Sequence, residues 1–265
     1  SYSDTLLMFL LKAARPEVYR ETIRVDIRRE AERMAEAVGT APVPPRFWLA
    51  GSAVGYYGPH GDDPRKHLPQ AVDYIGRCVE RCAEAKVVYG MEVETNLIGR
   101  NAELLLEIIR QVNNPWLKLV FDGGNLSSQG YSPAECYAQF VMMRPYLGWV
   151  HIKDYNGPMP KVVGDVHEAS LKHFCTADVG LSGHREVFED LAQNHGSILA
   201  NLALVGVTDL LIDLEPHLKG GGQFGGKSGA DGLGVDGRVT TEMLLKAGLQ
   251  PHIDTFADIK ERRGF

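Results

Sequence analysis

Five acidic or imidazole side chains stand at the ends of apolar runs. Glu92 and Glu94 lie in Gly-Met-Glu-Val-Glu-Thr, Asp122 ends Lys-Leu-Val-Phe-Asp, His151 lies in Trp-Val-His-Ile-Lys-Asp, and Glu215 lies in Leu-Ile-Asp-Leu-Glu-Pro-His. Taken singly, a carboxylate in such a place is an ordinary helix cap or solvated loop residue, and a histidine in a strand is ordinarily a hydrogen-bonded core residue. The conjunction says more, because each one follows an apolar stretch that hardly tolerates an uncompensated charge. If the runs are strands of a parallel barrel, their C-terminal ends open onto one mouth. Carboxylates converging there would repel unless a cation sat between them. Two or three carboxylates with one imidazole form an oxygen-rich donor set suited to a divalent ion: manganese first, with magnesium, cobalt or zinc as alternatives.

The elements that would position these groups can be read from periodicity. Candidate strands are Phe47–Ala53, Val87–Glu94, Leu117–Asp122, Trp149–Asp154 and Leu210–Glu215, rich in Val, Ile, Leu and aromatic residues as buried parallel strands are. Candidate helices are Glu17–Val38, Arg65–Ala85, Asn101–Val112, Pro133–Tyr146, Arg185–Leu204 and Thr240–Ala247, with Pro133 suited to a first turn. The regular strand–helix alternation predicts a parallel α/β sheet, open or closed. It runs without a Ser-rich or Pro-rich break, so residues 1–265 are read as one domain.

Composition narrows the class. The chain has 265 residues and a net charge of −6. It has no basic stripe; Arg24 to Arg33 mixes both signs and reads as a solvated helix face. A nucleic-acid partner is therefore not expected. Leu6 to Leu11 is too short an apolar run to span a bilayer, so no membrane partner is expected either. Cys78, Cys82, Cys136 and Cys175 contain no Cys-x-x-Cys pair and read as reduced thiols, which predicts a cytoplasmic protein.

The segments Glu92-Val-Glu-Thr-Asn-Leu-Ile-Gly, Phe121-Asp-Gly-Gly-Asn125, Val150-His-Ile-Lys-Asp154 and Leu214-Glu-Pro-His217 resemble the sugar phosphate isomerase/epimerase superfamily. That group has xylose isomerase-like (β/α)8 TIM barrels and includes ketose 3-epimerases, inosose dehydratases and C-glycoside deglycosidase catalytic subunits. The resemblance extends from about Phe47 to Gly226 in motif order and spacing. It implies that Glu92, Asp122, His151 and Glu215 hold the metal, with Glu92 preferred to Glu94 although Val93 stands where Asn is common. It implies proton transfer next to a carbonyl of a small carbohydrate substrate, through a metal-stabilised enediolate, with Glu92 and Glu215 as the catalytic pair. Lys153 would bind a substrate oxygen or neutralise a ligand carboxylate. Asn125 would hold a hydroxyl or a turn, and Glu94 and His217 would line the substrate pocket. Phe224, within the glycine run Gly220–Gly226, would cover a sugar face as part of a lid. A lyase on the same site is the alternative: a dehydratase, or a deglycosidase of 3-keto sugars. A metal-dependent endonuclease of the same fold would need further His and Asp ligands and a basic groove.

The family pattern makes Phe47–Ala53 the fourth strand and Leu210–Glu215 the eighth. Residues 1–46 are then too few for three βα units, each of about 30 residues. The expectation is a barrel lacking its N-terminal strands in this chain, with a bare sheet edge that favours a homo-oligomer or a second subunit.

Overall fold

The computed structural model describes residues 48–52, 63–95, 97–158, 173–219, 226–227 and 230–252. Its centre is a five-stranded parallel sheet of β1 (Trp48–Ser52), β2 (Val88–Glu92), β3 (Leu117–Asp122), β4 (Leu147–Ile152) and β7 (Leu211–Leu214), in that spatial order. Strand order never reverses, so this sheet has no switch point of the doubly wound kind. It is a stretch of barrel wall that the described residues do not close. β2 and β3 are buried along their whole length, which explains their near-continuous apolar sequence. Besides the terminal Asp122, Lys118 is the exception within β3; its Nζ reaches the carbonyl of Asn201 at 3.1 Å and the side-chain oxygen of the same residue at 2.9 Å.

The outer layer follows from amphipathic spacing. In α1 (Leu68–Glu84) the buried residues Leu68, Ala71, Ile75, Val79 and Cys82 recur every three or four positions, the stripe a helix lays on a sheet. Asn101 caps α2 (Ala102–Val112) by accepting the Leu104 N–H, and Asn113 ends it in the left-handed region at φ 46°. Ser132 and Glu135 form a capping box for α4 (Pro133–Met143), with Pro133 in the first turn. α5 (His184–Ala203) and α6 (Ala230–Lys246) complete the layer. α1 packs on α2, α2 on α4, α4 on α5 and α5 on α6, the same order as the strands beneath.

All five sequence-predicted strands exist; Leu117–Asp122 is found with the expected ends, and the other four have shifted ends. Val87–Glu94 stops at Glu92 because the Glu94 N–H turns away to the Gly99 carbonyl. Trp149–Asp154 begins at Leu147 instead and ends at Ile152. Asp154 belongs to a two-residue strand, β5 (Asp154–Tyr155), paired antiparallel with β6 (Phe174–Cys175). α6 begins ten residues before the expected Thr240. Its glycines dilute the helical pattern, yet a Cβ on Gly237 would sit 3.2 Å from Leu214 Cδ1, so the residue serves close helix–strand approach. A short helix α3 (Gly123–Ser128) and the pairing of β8 (Leu218–Lys219) with β9 (Gly226–Lys227) were not anticipated.

All four cysteines are free. Among the described residues, no helix is long and apolar enough to cross a membrane. Glu17–Val38 and the expectation about residues 1–46 lie outside the described residues, as does Phe224.

Candidate metal centre

Parallel register carries the key side chains to one end of the sheet. Asp122 is the Cα partner of His151, and His151 is the partner of Asp213. Glu92 ends β2, and the Glu215 N–H extends the last ladder by donating to the Ile152 carbonyl at 2.9 Å. One donor atom from each of Glu92, Asp122, His151 and Glu215 lies within 4.8 Å of the others. His151 Nδ1 is the hub: 3.1 Å from Glu92 Oε1, 3.3 Å from Glu215 Oε1 and 3.9 Å from Asp122 Oδ2.

The donors fit a divalent ion on two grounds. Two atoms bound to one ion at roughly 2.0–2.6 Å can be no more than about 5 Å apart, and the observed spread meets that limit. Asp122 divides its oxygens: Oδ1 accepts the Asn125 backbone N–H at 2.9 Å and so caps α3, while Oδ2 is turned into the cluster, 3.9 Å from His151 Nδ1 and paired with the Lys153 ammonium.

Lys153 sits beside these carboxylates, its Nζ 2.8 Å from Asp122 Oδ2 and 3.2 Å from Glu215 Oε2. Of the two roles the sequence left open, the one the geometry shows is pairing with cluster carboxylates. Its placement depends on Gly124, where a Cβ would stand 2.6 Å from the Lys153 carbonyl oxygen. That carbonyl also lies 3.0 Å from His184 Nε2 and 3.4 Å from Ser182 Oγ. Asn125 donates its amide to Glu92 Oε1 and to the Val93 carbonyl, both at 3.1 Å, so its side chain orients Glu92. Glu94 is turned aside, accepting from the Thr95 N–H at 2.7 Å and hydroxyl at 3.0 Å. The His217 ring packs 5.3 Å from that of Phe174.

Electrostatics follow this arrangement. Burial raises the Glu92 carboxyl well above its usual range, against the pull of His151. Burial alone would lower His151, but Glu92, Glu215 and Asp213 outweigh it and raise the ring. Burial would likewise raise Glu215; Lys153 and His151 hold it low instead. His217 is pushed down to about 4 by burial and by Lys153.

Sequence reasoning missed Asp213, whose Oδ1 lies 3.6 Å from His151 Nε2. Its signal was present: it is two residues before Glu215, on the same strand face. It also missed Asp154, Ser182 and His184, a buried group under the Lys153 backbone in which Asp154 Oδ1 accepts from Ser182 Oγ at 2.5 Å. Ser182, from the loop before α5, and His184, the first residue of α5, arrive from about thirty residues away, and nothing in local pattern marks them.

The family model for the xylose isomerase-like TIM barrel matches residues 9–202. Among solved structures, the probable 3-DHS dehydratase AsbF of Bacillus anthracis aligns at 16% identity over 84% of this chain and 71% of that one, with a TM-score of 0.52. A D-tagatose 3-epimerase-like protein aligns at 17% identity over 76% of this chain and 63% of its own, with a TM-score of 0.53. The IOLI protein, solved with a bound zinc atom, aligns at 13% identity over 86% of this chain and 72% of its own, with a TM-score of 0.50. At these identities the likeness is one of fold. No curated protein matches the chain.

Proposed function

The chain belongs to the xylose isomerase-like TIM-barrel family, and from that premise we propose that it is an isomerase or epimerase of a small carbohydrate, working by proton transfer next to a carbonyl. One observation carries the reading: Glu92 and Glu215 approach a single His151 nitrogen at 3.1 and 3.3 Å from strands on opposite sides of β4. Two carboxylates so placed can flank one carbon.

Glu92, Asp122, His151 and Glu215 would hold a divalent ion, manganese before magnesium, cobalt or zinc. Bound there, the ion would act as a Lewis acid that polarises the substrate carbonyl and offsets developing negative charge. One glutamate takes the proton from the carbon beside the carbonyl, and the C–H electron pair moves toward the carbonyl oxygen. The other glutamate returns a proton to the opposite face of the same carbon in epimerisation; in isomerisation a proton is returned to the neighbouring, former carbonyl carbon while the hydroxyl proton of the first carbon passes to the former carbonyl oxygen, leaving the new carbonyl behind. Lys153 offsets the charge of Asp122 and Glu215, and Asn125 keeps Glu92 aimed inward. Glu94 and His217, whose charges act on the same cluster, are assigned to the sugar hydroxyls, and Phe224 to covering the ring. The four free thiols suit a reducing, cytoplasmic compartment.

Elimination is the second reading. It is supported by the fold shared with the probable 3-DHS dehydratase: the same proton abstraction beside a leaving group expels that group. A screen of free and 3-keto sugars in deuterated water separates the two. Epimerisation leaves solvent deuterium on carbon in a product of unchanged composition, whereas elimination releases a fragment or water. In either case Glu215→Gln is expected to cost ~10²–10⁴-fold in turnover with the fold intact. A variant with a saturated metal site and more than half its activity would sink the assignment.

A further inference from the structure

Two buried polar atoms face each other across the β4–β7 ladder without a hydrogen bond between them. His151 Nε2 and Asp213 Oδ1 are both buried and unsatisfied, they stand 3.6 Å apart, and their residues are direct register partners. A closure of a few tenths of an ångström would bring them within the normal N–H···O range of roughly 2.7–3.2 Å. The opposite ring nitrogen, Nδ1, is the one turned toward Glu92, Glu215 and Asp122. Trp149 fixes the ring plane from the side, edge-on at 5.2 Å and 88°. The ring therefore has one nitrogen facing the carboxylate cluster and the other facing a carboxylate outside it.

That division has a chemical consequence. A neutral imidazole carries one N–H and one lone pair, and the partner of the N–H decides which nitrogen is free to bind a metal. We propose that Asp213 is a positioning residue for His151: its carboxylate accepts the Nε2–H and leaves Nδ1 as the donor toward the ion. This rests on the reading of the four-residue cluster as a metal site. Outer partners of this kind typically change metal affinity by roughly 10–100-fold. Strand pairing supplies the rigidity, since Asp213 and His151 cannot slide past each other without breaking the ladder on which Glu215 also depends.

The test uses zinc alone as the probe, titrated into metal-free protein against a chromophoric chelator. Asp213→Ala is expected to weaken zinc binding roughly 10–100-fold while circular dichroism and Tm stay near wild type. Asp213→Asn keeps an acceptor oxygen and is expected to recover part of that loss, which a mere gap-filling role would not require. Proton NMR of the metal-free protein supplies a second reading: a protected, downfield Nε2–H resonance of His151 in the wild type, lost in Asp213→Ala. Equal zinc affinity in the wild type and Asp213→Ala, or a resonance that survives the substitution, overturns the proposal. Wild-type protein that binds no zinc overturns the metal-site reading instead, and the resonance still decides whether Asp213 holds the ring.

Discussion

Glu92 and Glu94 share a strand face by alternation, so sequence alone could not choose between them; only family resemblance favoured the first. The structure separates them by their commitments. Glu92 is tied to His151 Nδ1 and to Asn125, whereas Glu94 is satisfied by Thr95 and lies outside the cluster. Glu92→Gln is therefore expected to weaken divalent-metal binding at least roughly tenfold more than Glu94→Gln, which acts as an outer neighbour. Paired metal titrations of the two variants check this, and the reverse ranking would move the ligand assignment to Glu94. The other three proposed ligands were legible because each ends an apolar run where a charge needs a reason. Asp213 was overlooked because a carboxylate within a strand reads as a pleat residue facing solvent. Its role emerges only when β7 is set beside β4, and that pairing is not a local property of the sequence.

At the scale of elements, α6 shows where local pattern fell short. Its first half carries several glycines, and its inward residues include a carboxylate. Asp236 is only 1% exposed and accepts the Ala177 N–H at 3.1 Å, tying α6 to the loop after β6. Tertiary contact, not propensity, holds that half of the helix. The tie has a pH signature. Burial raises the Asp236 carboxyl from 3.8 to about 6, only partly offset by the Ala177 hydrogen bond and His184. A raised folded-state value means that the folded chain binds this proton more tightly than the unfolded one. The contribution is then fully present below about 3.8 and lost as pH rises through about 6. At about 1.4 kcal/mol per unit, it is on the order of 2–3 kcal/mol. Asp236→Asn keeps the acceptor oxygen and cannot ionise. Relative to the wild type, its Tm is expected to rise on going from pH 4 to pH 7.5, and thermal melts of both proteins at both values check it. A Tm difference that does not change with pH would show that Asp236 does not titrate in this range.

For the whole molecule, the alternation of apolar runs and helical stripes announced a parallel sheet because burial on both faces leaves that mark in composition. The two-residue pairs β5–β6 and β8–β9 left no such mark; a strand that short has no periodicity to read. The proposed ligands are spread over adjacent strands: one at the end of β2, one at the end of β3, one inside β4 and one just after β7. An ion bound by them would link all four, and an unfolded chain offers no such set. Metal would therefore stabilise the fold by mass action, about 2.7 kcal/mol when free metal is 100 times its dissociation constant. For a chain of this size each kcal/mol moves Tm by roughly 2–4 °C, so saturating manganese is expected to raise Tm by about 5–11 °C over chelator-treated protein. The shift should grow with the logarithm of metal concentration and shrink in Glu92→Gln at the same concentration. Differential scanning calorimetry across a metal series reads both trends. A Tm indifferent to chelator and to added manganese, zinc or magnesium would mean that the four carboxylate and imidazole groups do not act together as one site. The proton-transfer reading would then lose its Lewis acid.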